Sequence, residues 1–259
     1  MWSGQDAPVD SVIELDRLSG QAGAGALIEF EDGLHGLSTS QAADAVRPVR
    51  ARAALRPDLT RSALRVKRAL DLLGATLGLL ALAPLIAVIA VAIKLDGSGP
   101  VLYRQQRVGR YGRRFPMLKF RTMVSGADAL KDALRAHNEA RGGLFKIAED
   151  PRVTRVGRWL RRSALDELPQ LLNVLKGEMS LVGPRPLVIE EDERIAGSHR
   201  RRLELLPGMT GPWQILGPVR ASLGEMVAID YRYVADWSLW TDVKILLRTV
   251  PHVLGRRGL

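Results

Sequence analysis

The dominant feature of the hydrophobic pattern is a run from Leu72 to Ile93 with no charged side chain in 22 positions. At about 1.5 Å per helical residue such a run extends roughly 33 Å, close to the thickness of a bilayer's hydrocarbon core. A fully buried core helix is the competing reading, but a charge-free run this long in a chain of 259 residues favours membrane contact. Arg61, Arg65, Lys67 and Arg68 precede the run, and Lys94, Arg104 and Arg107 follow it, so both ends favour the cytoplasmic side. Pro84, near the midpoint, removes a helical hydrogen bond and predicts a kink. A re-entrant hairpin of two half-helices satisfies both observations, with a kinked spanning helix as the alternative.

Elsewhere the periodicity is shorter. Residues 1–60 mix Gly, Ala, Ser and Asp without sustained periodicity and read as a flexible tail; their acidic residues Asp6, Asp10, Glu14 and Asp16 argue against a secretory signal. Phe115 to Met123 alternates as a strand, placing Lys119 and Arg121 on one face with Phe115 and Met117. That mixed face suits a surface where apolar and cationic groups meet a lipid phosphate. Gly126 to Ala140 and Val153 to Arg162 carry helical spacing. A last helix, about Ser238 to Leu254, groups Trp237, Trp240, Val243, Leu247 and Val250 on one face. Packing of that face against the domain is expected first, and lying in a membrane interface second.

Charge narrows the partners. Lys plus Arg number 38 against 28 for Asp plus Glu, a balance of +10 that favours phosphate-rich ligands such as nucleotides, nucleic acid or anionic lipid. From Gly97 to Ala127 no acidic residue occurs, while Arg104, Arg107, Arg110, Arg113, Arg114, Lys119 and Arg121 do. Beside a membrane run, that stretch is suited to anionic head groups or phosphorylated ligands. Cysteine is absent, which excludes disulfides, thiolate metal sites and cysteine nucleophiles. There is no P-loop, and His35, His137, His199 and His252 show no metal-ligand spacing.

The chemistry concentrates at Ser163-Ala164-Leu165-Asp166-Glu167-Leu168-Pro169. Ser163 is placed to cap a helix with Pro169 in its first turn, and Lys176-Gly177 marks the stop. Acidic residues at a helix start are ordinarily capping devices. Here, however, Arg161 and Arg162 come just before, and Gly183-Pro184-Arg185-Pro186 follows after a helix that can return the chain. Paired carboxylates among arginines at a helix start can hold Mg²⁺ and a diphosphate together.

The segments LYRQQRVGRYGRRFPMLKFRTM, RRSALDELPQLLNVLKGEMSLVGPRP, LLPGMTGPWQILG and DYRYVADWSLWTDVKILLRT resemble those of the bacterial sugar transferases, the monotopic phosphoglycosyl transferases. The resemblance runs from about Ser62 to Gly258. It implies a helix-rich α/β fold: a compact catalytic domain, residues 96–259, anchored by a re-entrant membrane helix, residues 61–95, and by interfacial amphipathic helices. It also implies a place on the cytoplasmic face of the bacterial inner membrane. The implied reaction passes a sugar phosphate, glucose or galactose, from a UDP-sugar to polyprenyl phosphate and releases UMP. Asp166 matches the family's nucleophile, which would carry the sugar phosphate as an acyl phosphate, and Glu167 matches its partner, suited to metal binding or to proton handling; the two are the candidate ligands for Mg²⁺ or Mn²⁺. Arg161 and Arg185 match phosphate-contacting arginines, and Lys119, Arg121 and Arg220 complete the cationic set. Two departures stand out: Ala83-Pro84 replaces the family's common Ser-Pro, and Gly217-Pro218-Val219-Arg220 stands where a Gly-Arg pair is usual. Membrane lipids are implied partners, nucleic acid is not, and a homodimer is left open. A non-catalytic lipid-surface protein would explain the charge and the apolar run but leave the Asp-Glu-Leu-Pro block without a role.

Overall fold

The computed structural model describes residues 61–127, 129–130, 133–134, 147, 150–216 and 222–254. The tail at 1–60, most of Gly126 to Ala140, and Arg220 lie outside the described residues. In chain order the elements are α1 (Arg61–Leu95), β1 (Leu102–Val108), β2 (Arg114–Phe120), α2 (Arg155–Arg162), α3 (Gln170–Lys176), β3 (Ser180–Val182), α4 (Ile189–Asp192), β4 (Gly208–Thr210), α5 (Pro212–Leu216), α6 (Leu223–Ala235) and α7 (Leu239–Leu254). Short 3₁₀ turns occupy Arg110–Gly112, Leu165–Glu167 and Gly197–Glu204. The strands make two small sheets: β1 and β2 pair antiparallel, β3 and β4 parallel. The fold is α/β and helix-rich, as the resemblance implied.

The charge-free run lies within α1, one helix of 35 residues that continues through Pro84 rather than breaking into two half-helices. Lys67, Asp71, Ala75, Ile89 and Ile93 are its buried residues, and their three- to four-residue spacing or multiples of it trace one stripe along the whole helix. The opposite face is bare: Leu73, Leu77, Leu80, Val88 and Val91 are all more than half exposed. Only 11% of its most apolar window is buried, so α1 is unlike the core helix of a soluble domain.

The start of the stripe is polar and each group is matched. Lys67 Nζ donates to Asp242 Oδ2 at 2.5 Å and to the Val182 carbonyl at 2.9 Å. Asp242 also accepts from the Tyr233 hydroxyl at 2.6 Å and from the Trp237 indole N–H at 3.2 Å. Arg68 donates to the carbonyls of Val174 and Leu175 in the last turn of α3, where the Val174 carbonyl also accepts the Gly177 N–H. Asp71 accepts from Ser180 Oγ and the Leu181 N–H, both at 2.9 Å. At the other end Ile89 and Ile93 pack with Phe120 and Leu160. Arg121 closes that end by donating to the carbonyls of Ile93, Gly97 and Ser98. Both ends of α1 therefore rest on the same domain.

Three local expectations need correction. Ser163 does not cap the following helix: its hydroxyl donates to the carbonyls of Trp159 and Leu160, closing α2 instead. The β2 strand stops at Phe120, and Met123 makes only an isolated bridge to Val153. Of the expected face at α7, Trp237 is buried and Val243 half-buried, but Trp240, Leu247 and Val250 are exposed by 63%, 66% and 58%, so most of the face does not pack on the domain. The packing side is Asp242 and Ile245, because Asp242 must meet Lys67.

Lys67→Met should strand Asp242 as a buried charge with only neutral donors. A loss of about 3–5 kcal/mol is expected, read as a fall in melting temperature on the order of 10 °C in detergent. The double variant Lys67→Met/Asp242→Leu should recover a large part of it. A single variant that melts with the wild type would show that the pair does not hold α1.

Candidate active site

The site is built where α2 reverses into α3. After Ser163 closes α2, Ala164 adopts the left-handed conformation at φ 54°, ψ 14°. A non-glycine residue there costs on the order of 1–3 kcal/mol, and here it turns the chain into the Leu165–Glu167 turn. Leu165 and Leu168, bracketing the acidic pair, pack against the cluster of Ile89, Ile93, Phe120 and Leu160. The pair is thus pinned between β2 and the second half of α1. Pro169, with φ −61°, leads into α3, and Gly177 ends that helix at φ 81°.

Lys119, next to last on β2, reaches both acids: its Nζ lies 2.6 Å from Glu167 Oε1 and 4.0 Å from Asp166 Oδ2. The environments of the two carboxyls differ. Burial raises Asp166 above the ordinary carboxylate range, reinforced by the negative charge of Glu167 and only partly opposed by Lys119 and Arg161. Burial acts upward on Glu167 too, but Lys119, Arg185 and Arg107 together outweigh it and hold that carboxyl low. Adjacent acids pushed in opposite directions are the arrangement that divides roles within a catalytic pair.

The sequence-predicted cations divide. Lys119, Arg161 and Arg185 stand around the pair: Arg161 feels the charge of Asp166, and Arg185 that of Glu167. Arg161 Nε donates to Thr122 Oγ1 at 2.9 Å, which fixes its plane. Arg121 is not brought to the pair, its guanidinium being committed to the carboxyl end of α1. Arg220 lies outside the described residues. Arg107, not singled out from the sequence, joins the site. It donates to the Pro186 carbonyl at 3.0 Å, and burial together with the neighbouring Arg185 charge lowers its pKa to about 10. The β1–β2 register pairs Tyr103 with Lys119, Gln105 with Met117 and Arg107 with Phe115, so Arg107 shares the lysine's face. Only that register separates Arg107 from the other arginines of its stretch.

Arg185 is held by its backbone. Its N–H donates to Asp230 Oδ2 at 2.9 Å, and its carbonyl accepts from Arg202, which also bonds Asp230 at 3.2 Å. Burial pushes Asp230 up to about 6, with Arg202 pulling the other way. The guanidinium of Arg185 lies 5.2 Å above the Trp213 ring. Gly183, just before Arg185, lets the end of β3 lie close against the backbone entering β4, since a Cβ there would sit 2.2 Å from the Leu206 carbonyl oxygen.

Among the described residues no cluster of three or more His, Cys, Asp or Glu is placed to hold a metal. Asp166 and Glu167 alone fit Mg²⁺, which commonly takes one or two carboxylates and completes its shell with phosphate oxygens and water.

The carboxylate pair ringed by cations thus sits on a helix-rich α/β domain that carries one long apolar helix, fit by length and composition to meet a membrane. The chain belongs to the bacterial sugar transferase family, whose model matches residues 62–256. It is 44% identical over 196 residues to the galactosyl transferase CpsE of Streptococcus agalactiae, covering 75% of this chain and 43% of that protein. It is also 44% identical over 197 residues to the exopolysaccharide production protein ExoY of Rhizobium meliloti, covering 74% of this chain and 87% of that protein. A third relative, the UDP-glucose:undecaprenyl-phosphate glucose-1-phosphate transferase of Caulobacter vibrioides, is 44% identical over 196 residues, or 73% of this chain and 69% of its own. The chain thus spans about two fifths of the length of CpsE but most of ExoY.

Asp230→Ala should leave the Arg185 N–H unpaired and deprive buried Arg202 of a counter-charge. A loss of about 3–5 kcal/mol is expected by thermal melting. Asp230→Asn, which keeps an acceptor for the N–H, should lose distinctly less; equal losses would contradict the backbone clamp.

Proposed function

We propose that this chain transfers a hexose-1-phosphate from a UDP-sugar to undecaprenyl phosphate, at the start of exopolysaccharide or other glycoconjugate assembly. The observation that carries the reading is the Asp166–Glu167 pair, with its opposed acidities, among Lys119, Arg161, Arg185 and Arg107. The printed names of the relatives from Caulobacter and Rhizobium agree with the donor, the acceptor and the pathway. The sugar is glucose or galactose.

In the first step a carboxylate oxygen of Asp166 attacks the β-phosphorus of the UDP-sugar. The bond from that phosphorus to the bridging oxygen breaks, and its electron pair leaves on UMP. Arg161, Arg185 and Lys119 neutralise the diphosphate, which would otherwise repel the nucleophile. In the second step an oxygen of undecaprenyl phosphate attacks the same phosphorus, and the Asp166 carboxylate departs. Glu167, held ionised, orients Lys119 toward the transferred phosphate. Mg²⁺ bound by Asp166 and Glu167 would add charge neutralisation.

Placement in the membrane follows the same reading. The basic residues flanking α1 at both ends, and the seating of both ends on one domain, favour a helix that enters and leaves on the cytoplasmic side of the inner membrane. The exposed apolar face of α7 would lie in the interface.

Asp166→Asn should abolish the first half-reaction, since the amide is a far poorer nucleophile; a loss on the order of 10⁴ to 10⁶ is expected. Intact-protein mass spectrometry after adding UDP-sugar without acceptor should find the adduct on a peptide containing Asp166. An adduct on Asp166→Asn protein would overturn the covalent route. Excess EDTA should stop UMP release and added Mg²⁺ should restore it, whereas full turnover in EDTA would remove the metal from the account.

A further inference from the structure

Beside the carboxylate pair, though not including it, an apolar groove of about 340 Å³ runs between α1 and α2. Leu85, Val88 and Ala92 form the α1 wall, Val156 and Trp159 the α2 wall, and Ile89 the floor, with Arg155 as the one polar lining residue. Its lips are bare: Val88 is 66% exposed and Trp159 54%. On a helix that meets the membrane, such a cleft is filled by a hydrocarbon chain rather than water.

We propose that this groove seats the isoprenoid chain of the polyprenyl phosphate acceptor; the inference rests on the reaction proposed above. Continuity with the reacting pair argues for the acceptor over bulk lipid. Ile89 belongs to the buried cluster with Phe120 and Leu160, and Leu165 and Leu168, on either side of Asp166 and Glu167, rest on that same cluster. A chain in the groove therefore lies against the wall that supports the pair. Charge argues the same way. On α2 the groove wall carries Arg155 at its start, and the helix ends at Arg162, just before the turn bearing Asp166. A phosphate carried past the end of α2 to the pair meets Arg161, which lies on the helix face turned away from the groove, toward Thr122 and Asp166. The groove takes the tail and leaves the phosphate for the pair.

Two variants test it in purified protein in detergent. Trp159→Ala removes a lip residue that is 54% exposed, and Ala92→Phe fills the groove. Adduct formation from UDP-sugar alone should be unchanged in both, while the acceptor KM for a long polyprenyl phosphate should rise by about tenfold. A KM within twofold of wild type in both variants, or a matching loss of adduct formation, would overturn the assignment. A reading independent of turnover uses Val88→Cys in this cysteine-free chain. Long polyprenyl phosphate should slow maleimide labelling of that cysteine, and a diacyl phosphatidic acid should not. Equal protection by both lipids would make the groove a general lipid contact and contradict the proposal. If wild-type protein formed no adduct yet polyprenyl phosphate alone gave protection, the reaction would fail while the groove assignment stood.

Discussion

The buried carboxylate of Asp242 is the point on which the arrangement of the domain turns. It accepts from Lys67 of α1, from Tyr233 of α6 and from Trp237 just before α7, so one side chain joins the apolar helix to the two final helices. Lys67 in turn donates to the Val182 carbonyl at the end of β3, which extends the junction to the parallel strands and the Gly183-Pro184-Arg185 segment behind them. A buried ion pair contributes little net stability against a well-packed apolar alternative, but it specifies position, because losing either partner leaves an uncompensated charge. What it specifies here is the docked face of α1. With Lys67, Asp71 and Ala75 turned inward, helical geometry brings Ile89 and Ile93 inward as well and leaves Leu73, Leu77, Leu80, Val88 and Val91 exposed.

That orientation links the membrane to the chemistry. The second half of α1 is packed against the residues that bracket Asp166 and Glu167, so the carboxylate pair sits beside the long apolar helix. The cations around the pair come from separate elements: Arg107 from β1, Lys119 from β2, Arg161 from α2, and Arg185 from the segment after β3. Such a site exists only in the folded chain. In the proposed reaction its components answer one electrostatic problem, the approach of a carboxylate to a phosphate that already bears negative charge.

The sequence displayed the parts of this that depend on local pattern. A run of 22 uncharged residues needs no tertiary information, and the acidic pair between arginines stood out by its company. Tertiary commitments were not visible in the same way. Arg121 and Lys119 are two residues apart in one acid-free stretch, yet one ties off α1 through carbonyls 23 to 28 positions earlier while the other bonds Glu167. Ser163 had the spacing of an N-cap for the following helix but closes the preceding one, because Ala164 reverses the chain directly after it. The apolar stripe of α7 gave the period correctly and the packed side wrongly. Asp242, a polar residue, is drawn inward by Lys67 far away in the sequence; Trp237 of the expected stripe packs beside it, while Trp240 and Leu247 turn out.

The central claim is that α1 is held along one domain and meets the membrane from a single side. In this chain without cysteine, residues introduced at Ser62 and Ser98, just inside the start of α1 and just beyond its end, report the claim directly. Membrane-impermeant maleimide should label neither site in intact cells and both after permeabilisation. Labelling of one site but not the other in intact cells would make α1 a spanning helix and contradict the account.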